Sequence, residues 1–350
     1  MVLSAPLHIH WELTNACNLH CLHCYQQDDL ERGQLNRDDL LLIAKRITDA
    51  GVFQVTLTGG EPFLVKCLPE IVQHFISFGI TPYITSNGTT INQETVDWLS
   101  ALHIPVQISL DSHIPEKHDL IRKRKGAFNG AIRAVDLLSR VGVKISLAFC
   151  ANKLNYRDME GVILLALEHR IERVLIGEII PMFGSNHGIT DLLFGRDEYA
   201  EFIRTASSLK AKYKPRIRVQ ISTEWGFLFS SEVEHAPCTA MDRDMAILYS
   251  GDAYPCPFLR ARAYNMGSLL HSDLKAIWHS NTANRFRRQK FLGCDSNDCV
   301  FYTVCKSGCK AALANCGEPI DRKDPRCPLL LVDEPILSQD WFSGGRTIST

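Results

Sequence analysis

LHIHWELTNACNLHCLHCY, residues 7–25, is the stretch from which the rest of the chain is read. Leu7 to Leu13 is a short run rich in apolar and aromatic side chains, which predicts a strand, and Thr14 to Tyr25 is the loop that follows it. That loop carries Cys17, Cys21 and Cys24 in the spacing CxxxCxxC. Three thiolates on one tight loop can hold three irons of a cubane and leave the fourth iron open to a small ligand. A tetrahedral zinc needs a fourth protein ligand, and His20 or His23 could supply it.

Outward from this loop, apolar or β-branched runs alternate with stretches of helical period. Strands are predicted at Leu7 to Leu13, Phe53 to Thr58, Thr81 to Ser86, Val106 to Leu110, Val143 to Phe149 and Arg173 to Glu178. Helices are predicted at Arg37 to Ala50, Leu68 to Phe78, Gln93 to Leu102, Phe128 to Val141, Tyr156 to Glu168 and Asp197 to Lys212. The fold class is therefore α/β: six βα units forming a partial (β/α)6 TIM-like barrel over residues 1–214, with its chemistry at the C-terminal ends of the strands. After about residue 215 the chain turns to short strands, turns and cysteines. This predicts a small cysteine-rich domain over 215–341, its own apolar content thin and its stability drawn from metal, followed by a flexible tail at 342–350.

Composition narrows the class. With 350 residues, 45% hydrophobic and 22% charged, the chain can bury one large core and a smaller appendage. The formal net charge of -1 gives no electrostatic reason to expect nucleic acid or an anionic membrane, and the basic runs Arg122 to Lys125 and Arg285 to Lys290 read as solvated faces. No long apolar run and no secretory signal pattern are present, so a cytoplasmic protein is expected. In a reducing compartment 13 cysteines point to metal. Three lie between Cys17 and Cys24 and eight between Cys238 and Cys327, while Cys67 and Cys150 stand alone as small hydrophobes at a helix start and a strand end.

The CxxxCxxC loop followed by Tyr25, with Gly59-Gly60-Glu61-Pro62 at the end of the second strand, resembles the signature of the radical S-adenosylmethionine (SAM) superfamily. The resemblance implies a 4Fe-4S cluster on Cys17, Cys21 and Cys24 whose open iron is chelated by SAM, with the Gly59–Pro62 segment holding the SAM amino group. It also implies reductive cleavage to a 5′-deoxyadenosyl radical that takes hydrogen from a substrate. TSNGT at 85–89, ISLDS at 108–112 and HDLIRK at 118–123 are similar to family segments, which carries SAM contacts onto Ser109 and Arg122; Asn87 and Asp111 read only as caps.

The later set, Cys238, Gly251-xxxx-Cys256, Cys294-xxxx-Cys299-xxxxx-Cys305-xxx-Cys309, Cys316 and Cys327, resembles the SPASM domain, which implies two auxiliary 4Fe-4S clusters. By that likeness Cys238, Cys256 and Cys309 hold the first, and Cys294, Cys299, Cys305 and Cys327 the second. The four residues between Cys294 and Cys299 depart from the usual two, and the fourth position of the first cluster is open or filled by Asp242, Asp244 or Cys316. Structural zinc on part of the set is the competing reading. The likeness implies a peptide or protein substrate, with epimerisation or cross-linking as the outcome. Alternatives are a small-molecule enzyme such as a tetrapyrrole modifier, and a non-catalytic iron–sulfur carrier. Pro257 after Cys256 argues against sulfatase maturation, and the early first strand against a fused leader-peptide-binding domain. An electron donor of flavodoxin or ferredoxin type is implied. Candidate substrate-facing groups are Gln107, Glu178, Tyr254 and the loop Met182 to His187, and no residue is assigned a catalytic role.

Overall fold

A computed structural model describes residues 2–26, 35–180, 189–223, 238–289, 292–294, 299, 301–305, 307–315, 317–324 and 327. The strands are β1 (His8–Glu12), β2 (Gln54–Thr58), β3 (Tyr83–Ser86), β4 (Val106–Ser109), β5 (Ile145–Ala151), β6 (Arg173–Glu178), β7 (Arg218–Ser222), β8 (Asp244–Ile247) and β9 (Ala253–Tyr254). The helices are α1 (Arg37–Asp49), α2 (Leu68–Ser77), α3 (Gln93–Ala101), α4 (Pro115–Arg122), α5 (Ala127–Arg140), α6 (Met159–Glu168), α7 (Arg196–Tyr213), α8 (Leu274–Trp278), α9 (Asn281–Gln289), α10 (Tyr302–Cys305) and α11 (Lys310–Asn315).

One sheet joins all the strands in the order β7-β6-β5-β4-β3-β2-β1-β8-β9. Pairing from β7 through β8 is parallel, and only β9 runs antiparallel. Sequential parallel strands with a helix in nearly every crossover are the pattern of a (β/α) barrel, here with β7 and β9 as unjoined ends. The sequence predicts six barrel strands; the sheet has a seventh, β7, beyond residue 214, and then β8 against the outer side of β1. The sheet therefore runs straight through the position at which a domain boundary is expected.

The two faces of β1 explain the barrel's interior. Ile9 and Trp11 are fully buried on the helix side, where Trp11 meets Phe75 of α2 edge-on at 6.3 Å. His8, His10 and Glu12 alternate onto the other face. There His8 reaches Thr56 at 2.9 Å, Thr85 reaches Gln107 at 3.4 Å, Arg173 reaches Gln220 at 2.6 Å, and Tyr83 bonds Ser146. The lumen is thus a hydrogen-bonded polar lining, while the apolar core lies between the sheet and its helices.

That core does not stop at the barrel. Leu259, Leu269, Leu274, Trp278 and Phe286 are buried in the same cluster as Ile9 and Trp11, and Trp278 Nε1 donates to the Leu3 carbonyl at 2.8 Å. Packing onto the barrel therefore contributes to holding the C-terminal region, a contribution the reading of its own thin apolar content did not include. Among the described residues no helix is long and apolar enough to cross a membrane.

Candidate active site

The cysteine loop leaves the C-terminal end of β1 and lies against the end of β2. Gly60 N donates to Thr14 O at 2.7 Å and Glu61 N to Ala16 O at 2.8 Å. Side chains have no room in this contact: a Cβ on Gly59 would stand 2.4 Å from Thr14 O, and one on Gly60 2.1 Å from Ala16 O. Gly59 also holds φ at +135°, a conformation closed to L side chains. The glycines thus serve the approach of the cysteine loop to β2.

Glu61 is fully buried and turned to the end of β3, not into the cavity. Its carboxylate accepts from Ser86 Oγ at 2.8 Å, Asn87 N at 2.9 Å and Phe63 N at 3.2 Å. Burial pushes this carboxyl up to about 7, against the lowering by those donors. Pro62 begins the short 3-10 turn that Glu61 caps. Asn87, read as a cap, does more: its Nδ2 donates to Asn18 Oδ1 at 2.9 Å and faces Cys17 Sγ at 3.9 Å.

Around the thiols the donors converge. Leu19 N lies 3.4 Å from Cys17 Sγ, and Arg122 Nη1 lies 3.6 Å from Cys21 Sγ. Burial pushes the Cys17 and Cys24 thiols up to about 11, so a metal that takes them must displace their protons, and these donors favour the thiolate form.

Arg122, the last residue of α4, is 7% exposed even though it begins a basic run. Its Nε stands 2.7 Å from Asp111 Oδ2, and the Asp111 side chain is wholly buried. Desolvation pulls the Asp111 carboxyl upward; the Arg122 charge, with smaller help from the His23 and His118 rings and the Cys150 N–H, overcomes it and holds the group below its ordinary value. Asp111 Oδ1 also accepts from Cys150 N at 3.1 Å. The residue read as a cap is therefore the counter-ion that fixes Arg122 against Cys21. His23 Nε2 lies 3.8 Å from Asp111 and is held neutral down to about 4 by burial, while His20 is exposed.

Tyr25 closes the loop against the C-terminal region. Its ring meets Phe258 edge-on at 5.1 Å, and the Arg260 guanidinium lies 4.8 Å over it. Arg260 in turn pairs with buried Glu12, which burial pushes up to about 7 against the pull of Arg260. Glu12, Arg260, Phe258 and Cys150 are site residues that sequence reasoning did not single out. The signal available was a carboxylate at the end of an apolar strand and an arginine four residues after Cys256.

These groups surround a cavity of about 320 Å³ at the C-terminal ends of the strands. Cys17, Cys21, Cys24, Tyr25, Gly59, Gly60, Ser109 and Arg122 line it together. Phe149, Cys150, Leu175, Glu178, Ile179, Ile180 and Phe258 supply a further part of its wall, and Asn87 and Asp111 also border it. The volume is that of a small-molecule site. Of the other candidates, Gln107 is bound within the lumen to Thr85 and Ser146, Tyr254 is buried on β9, and Met182 to His187 lie outside the described residues. Larger hollows of about 540 and 440 Å³ lie near the N-terminal ends of β5 to β7 among charged side chains, with no residue of the cysteine loop in their walls.

Among the described residues no three His, Cys, Asp or Glu side chains converge on one point as ligands of a single ion would. The loop thiols instead flank one cavity and pack around Leu19 and Ala127, an arrangement suited to a cubane, whose irons sit at separate corners. In the C-terminal region Cys238, Cys294 and Cys305 all interact electrostatically with buried Lys310, and Cys309 N and Cys327 N both bond Asp324, which brings the two cysteine sets together. Asp244 faces His8 at 3.6 Å, and Cys316 lies outside the described residues.

Residues 11–166 match the family profile described as the Radical SAM superfamily, and residues 238–310 match SPASM, an iron-sulfur cluster-binding domain. The chain belongs to the radical SAM superfamily. This radical SAM enzyme takes the cofactors of those two domains, 4Fe-4S clusters and SAM. It is 27% identical to the mycofactocin maturase MftC of Mycobacterium tuberculosis over 343 residues, 93% of this chain and 83% of that protein. Over 173 residues it is 33% identical to the Fe-coproporphyrin III synthase of Methanosarcina barkeri, 49% of this chain and only 43% of the relative's length. Its fold matches Streptococcus suis SuiB bound to precursor peptide SuiA with a TM-score of 0.79 at 19% identity, covering 93% of this chain and 76% of that one.

Proposed function

We propose that this radical SAM enzyme modifies a peptide. The observation that carries the reading is near full-length similarity to a peptide maturase, which extends through the C-terminal cysteines as well as the barrel. The cavity wall is compatible with it: Leu175, Ile179, Ile180 and Phe258 offer apolar surface to an aliphatic or aromatic side chain.

When bound, the cluster and SAM supply the radical chemistry of the family, one-electron cleavage of SAM to the 5′-deoxyadenosyl radical. The chain's own residues bind and orient. Cys17, Cys21 and Cys24 hold the SAM-binding cluster, and the backbone at Gly59 and Gly60 with Ser109 forms the cradle beside it. Arg122, fixed by Asp111, presents a permanent charge next to Cys21 and the space for SAM. Glu61 and Pro62 act on that cradle by holding the ends of β2 and β3 together. Tyr25, with Arg260 and Phe258, seals the loop against the C-terminal region and excludes water. Cys238, Cys256 and Cys309, and Cys294, Cys299, Cys305 and Cys327, hold two auxiliary clusters, and a flavodoxin or ferredoxin supplies electrons.

A second reading, action on an iron porphyrin, is favoured by the 33% identity to the coproporphyrin enzyme over half the chain. Anaerobic reconstitution followed by 5′-deoxyadenosine assays separates the two. Stimulation by a small peptide encoded beside the gene supports the first, and stimulation by Fe-coproporphyrin alone overturns it. Iron analysis tests the ligand sets: about twelve irons per chain, falling to about eight in the Cys17→Ala/Cys21→Ala/Cys24→Ala variant. About four irons with zinc present would refute the auxiliary clusters.

A further inference from the structure

The basic run at the end of α4 lies directly over the cysteine loop. Leu22 N donates to Ile121 O at 2.8 Å, Arg124 Nη1 donates to Asn18 O at 2.8 Å, and Ala127 packs on Leu19 and Cys21. Only Arg122 of the run turns inward; Lys123, Arg124 and Lys125 are exposed. In the last turn of α4, just before the cations, Leu120 is 59% exposed and adds an apolar group to this surface. The acids nearby do not cancel them. Asp119 is turned by its carboxylate toward Gly126 N and Phe128 N, and Glu116 is exposed one turn earlier, so the two acids leave the three cations with an excess of one positive charge.

Across the chain lysine and arginine nearly balance aspartate and glutamate, so this patch is a local feature and not a by-product of overall charge. The chain's other basic run is used differently. Arg285 and Arg287 donate to the carbonyls of Ala263 and Met241, and of the described residues of that run Arg288 is exposed with no such backbone bond shown.

We propose that Lys123, Arg124 and Lys125, with Leu120, form the docking surface for an acidic one-electron carrier protein that reduces the cluster on Cys17, Cys21 and Cys24. The inference rests on that ligand set. Ala127, which follows Lys125 by two residues, is buried against Leu19 and Cys21, so the chain that carries the cations packs directly on the cysteine loop. Opposite charge steers encounter and raises the association rate, and Leu120 gives the complex some adhesion.

The test uses the full-length, reconstituted enzyme and a purified, fully reduced acidic flavodoxin as the probe. Cluster reduction is followed by anaerobic stopped-flow absorbance. In Lys123→Glu/Lys125→Glu the second-order rate constant falls at least tenfold at low ionic strength, and the gap to wild type closes as salt is raised. Lys123→Gln/Lys125→Gln gives an intermediate loss. Photoreduced deazaflavin, too small to need a docking surface, reduces every variant at the wild-type rate, and Arg288→Glu behaves as wild type with both reductants. Unchanged flavodoxin kinetics in the double reversal overturn the proposal. So does an equal loss in Arg288→Glu, or a parallel loss with deazaflavin. A wild-type protein with no reducible cluster refutes the ligand set instead, and iron analysis reports that separately.

Discussion

Gly60→Ala tests the central contact of the site. The added methyl would stand 2.1 Å from Ala16 O, 2.5 Å from Ala16 C and 2.7 Å from Asn15 O. A methyl needs a little over 3 Å from a carbonyl oxygen, so the cysteine loop and the end of β2 must separate by about 1 Å. The bonds at risk are Gly60 N to Thr14 O and Glu61 N to Ala16 O. At about 1 kcal/mol each, with 1–3 kcal/mol for overpacking, the variant should lose about 3–5 kcal/mol. For a chain of this size that lowers the thermal midpoint by several degrees without abolishing folding. The larger effect falls on the metal, because a loop displaced by about 1 Å no longer presents Cys17 and Cys21 to the same cubane. Anaerobic reconstitution with iron and sulfide analysis should show a loss of about four irons per chain, the C-terminal set being retained. A variant with the wild-type iron count and the wild-type midpoint would show that the loop does not rest on Gly60.

Asp111→Asn leaves Arg122 as an uncompensated buried charge and should destabilise by about 3 kcal/mol; Asp111→Asn/Arg122→Met should recover most of this, measured by urea unfolding in a double-mutant cycle. A simple sum of the single effects would dissolve the pair. Glu61 carries a pH signature. Its folded value of about 7 lies above the ordinary 4.5, so its contribution is complete below 4.5 and is lost as pH rises through 7. Wild type should therefore lose about 2 kcal/mol relative to Glu61→Gln between pH 5 and pH 8. The difference between the two proteins is the quantity to follow, because His10, His23 and His118, held neutral down to about 4, push wild-type stability the opposite way as pH falls. Parallel pH profiles would mean that Glu61 titrates normally.

The first six strands and the helices predicted between them were legible because their apolar periods are long and their caps conventional, as where Asn36 and Asn92 accept from the third residues of α1 and α3. Two elements of the barrel were not. β7, RVQIS, is short and follows a lysine-rich stretch, and its burial depends on β6. α4 has only His118, Ile121 and Arg122 buried, and two of these are themselves polar, too little to mark an apolar helical face beside Glu116, Lys117 and Asp119. In the site, CxxxCxxC and Gly59-Gly60 declare themselves because their spacing and residue type are the chemistry. Arg122 and Asp111 do not, since an arginine at the head of a basic run looks solvated until its counter-ion, at the other end of α4 in the loop after β4, is folded beside it. The same holds for Glu12 and Arg260.

β1 has β2 on one side and β8 on the other, and this sets a timetable for synthesis. The strand that delivers the cysteine loop can pair with β2 as soon as residue 58 leaves the ribosome, but its other edge stays bare until the chain has been made through Ile247. For most of translation that edge is a template for stray pairing, in a segment already carrying three reactive thiols. Protein halted or cut before β8 keeps the edge permanently, so truncated forms should be recovered in aggregates. A cell that inserts iron only after β8 has docked would load a loop whose supporting strand can no longer slip.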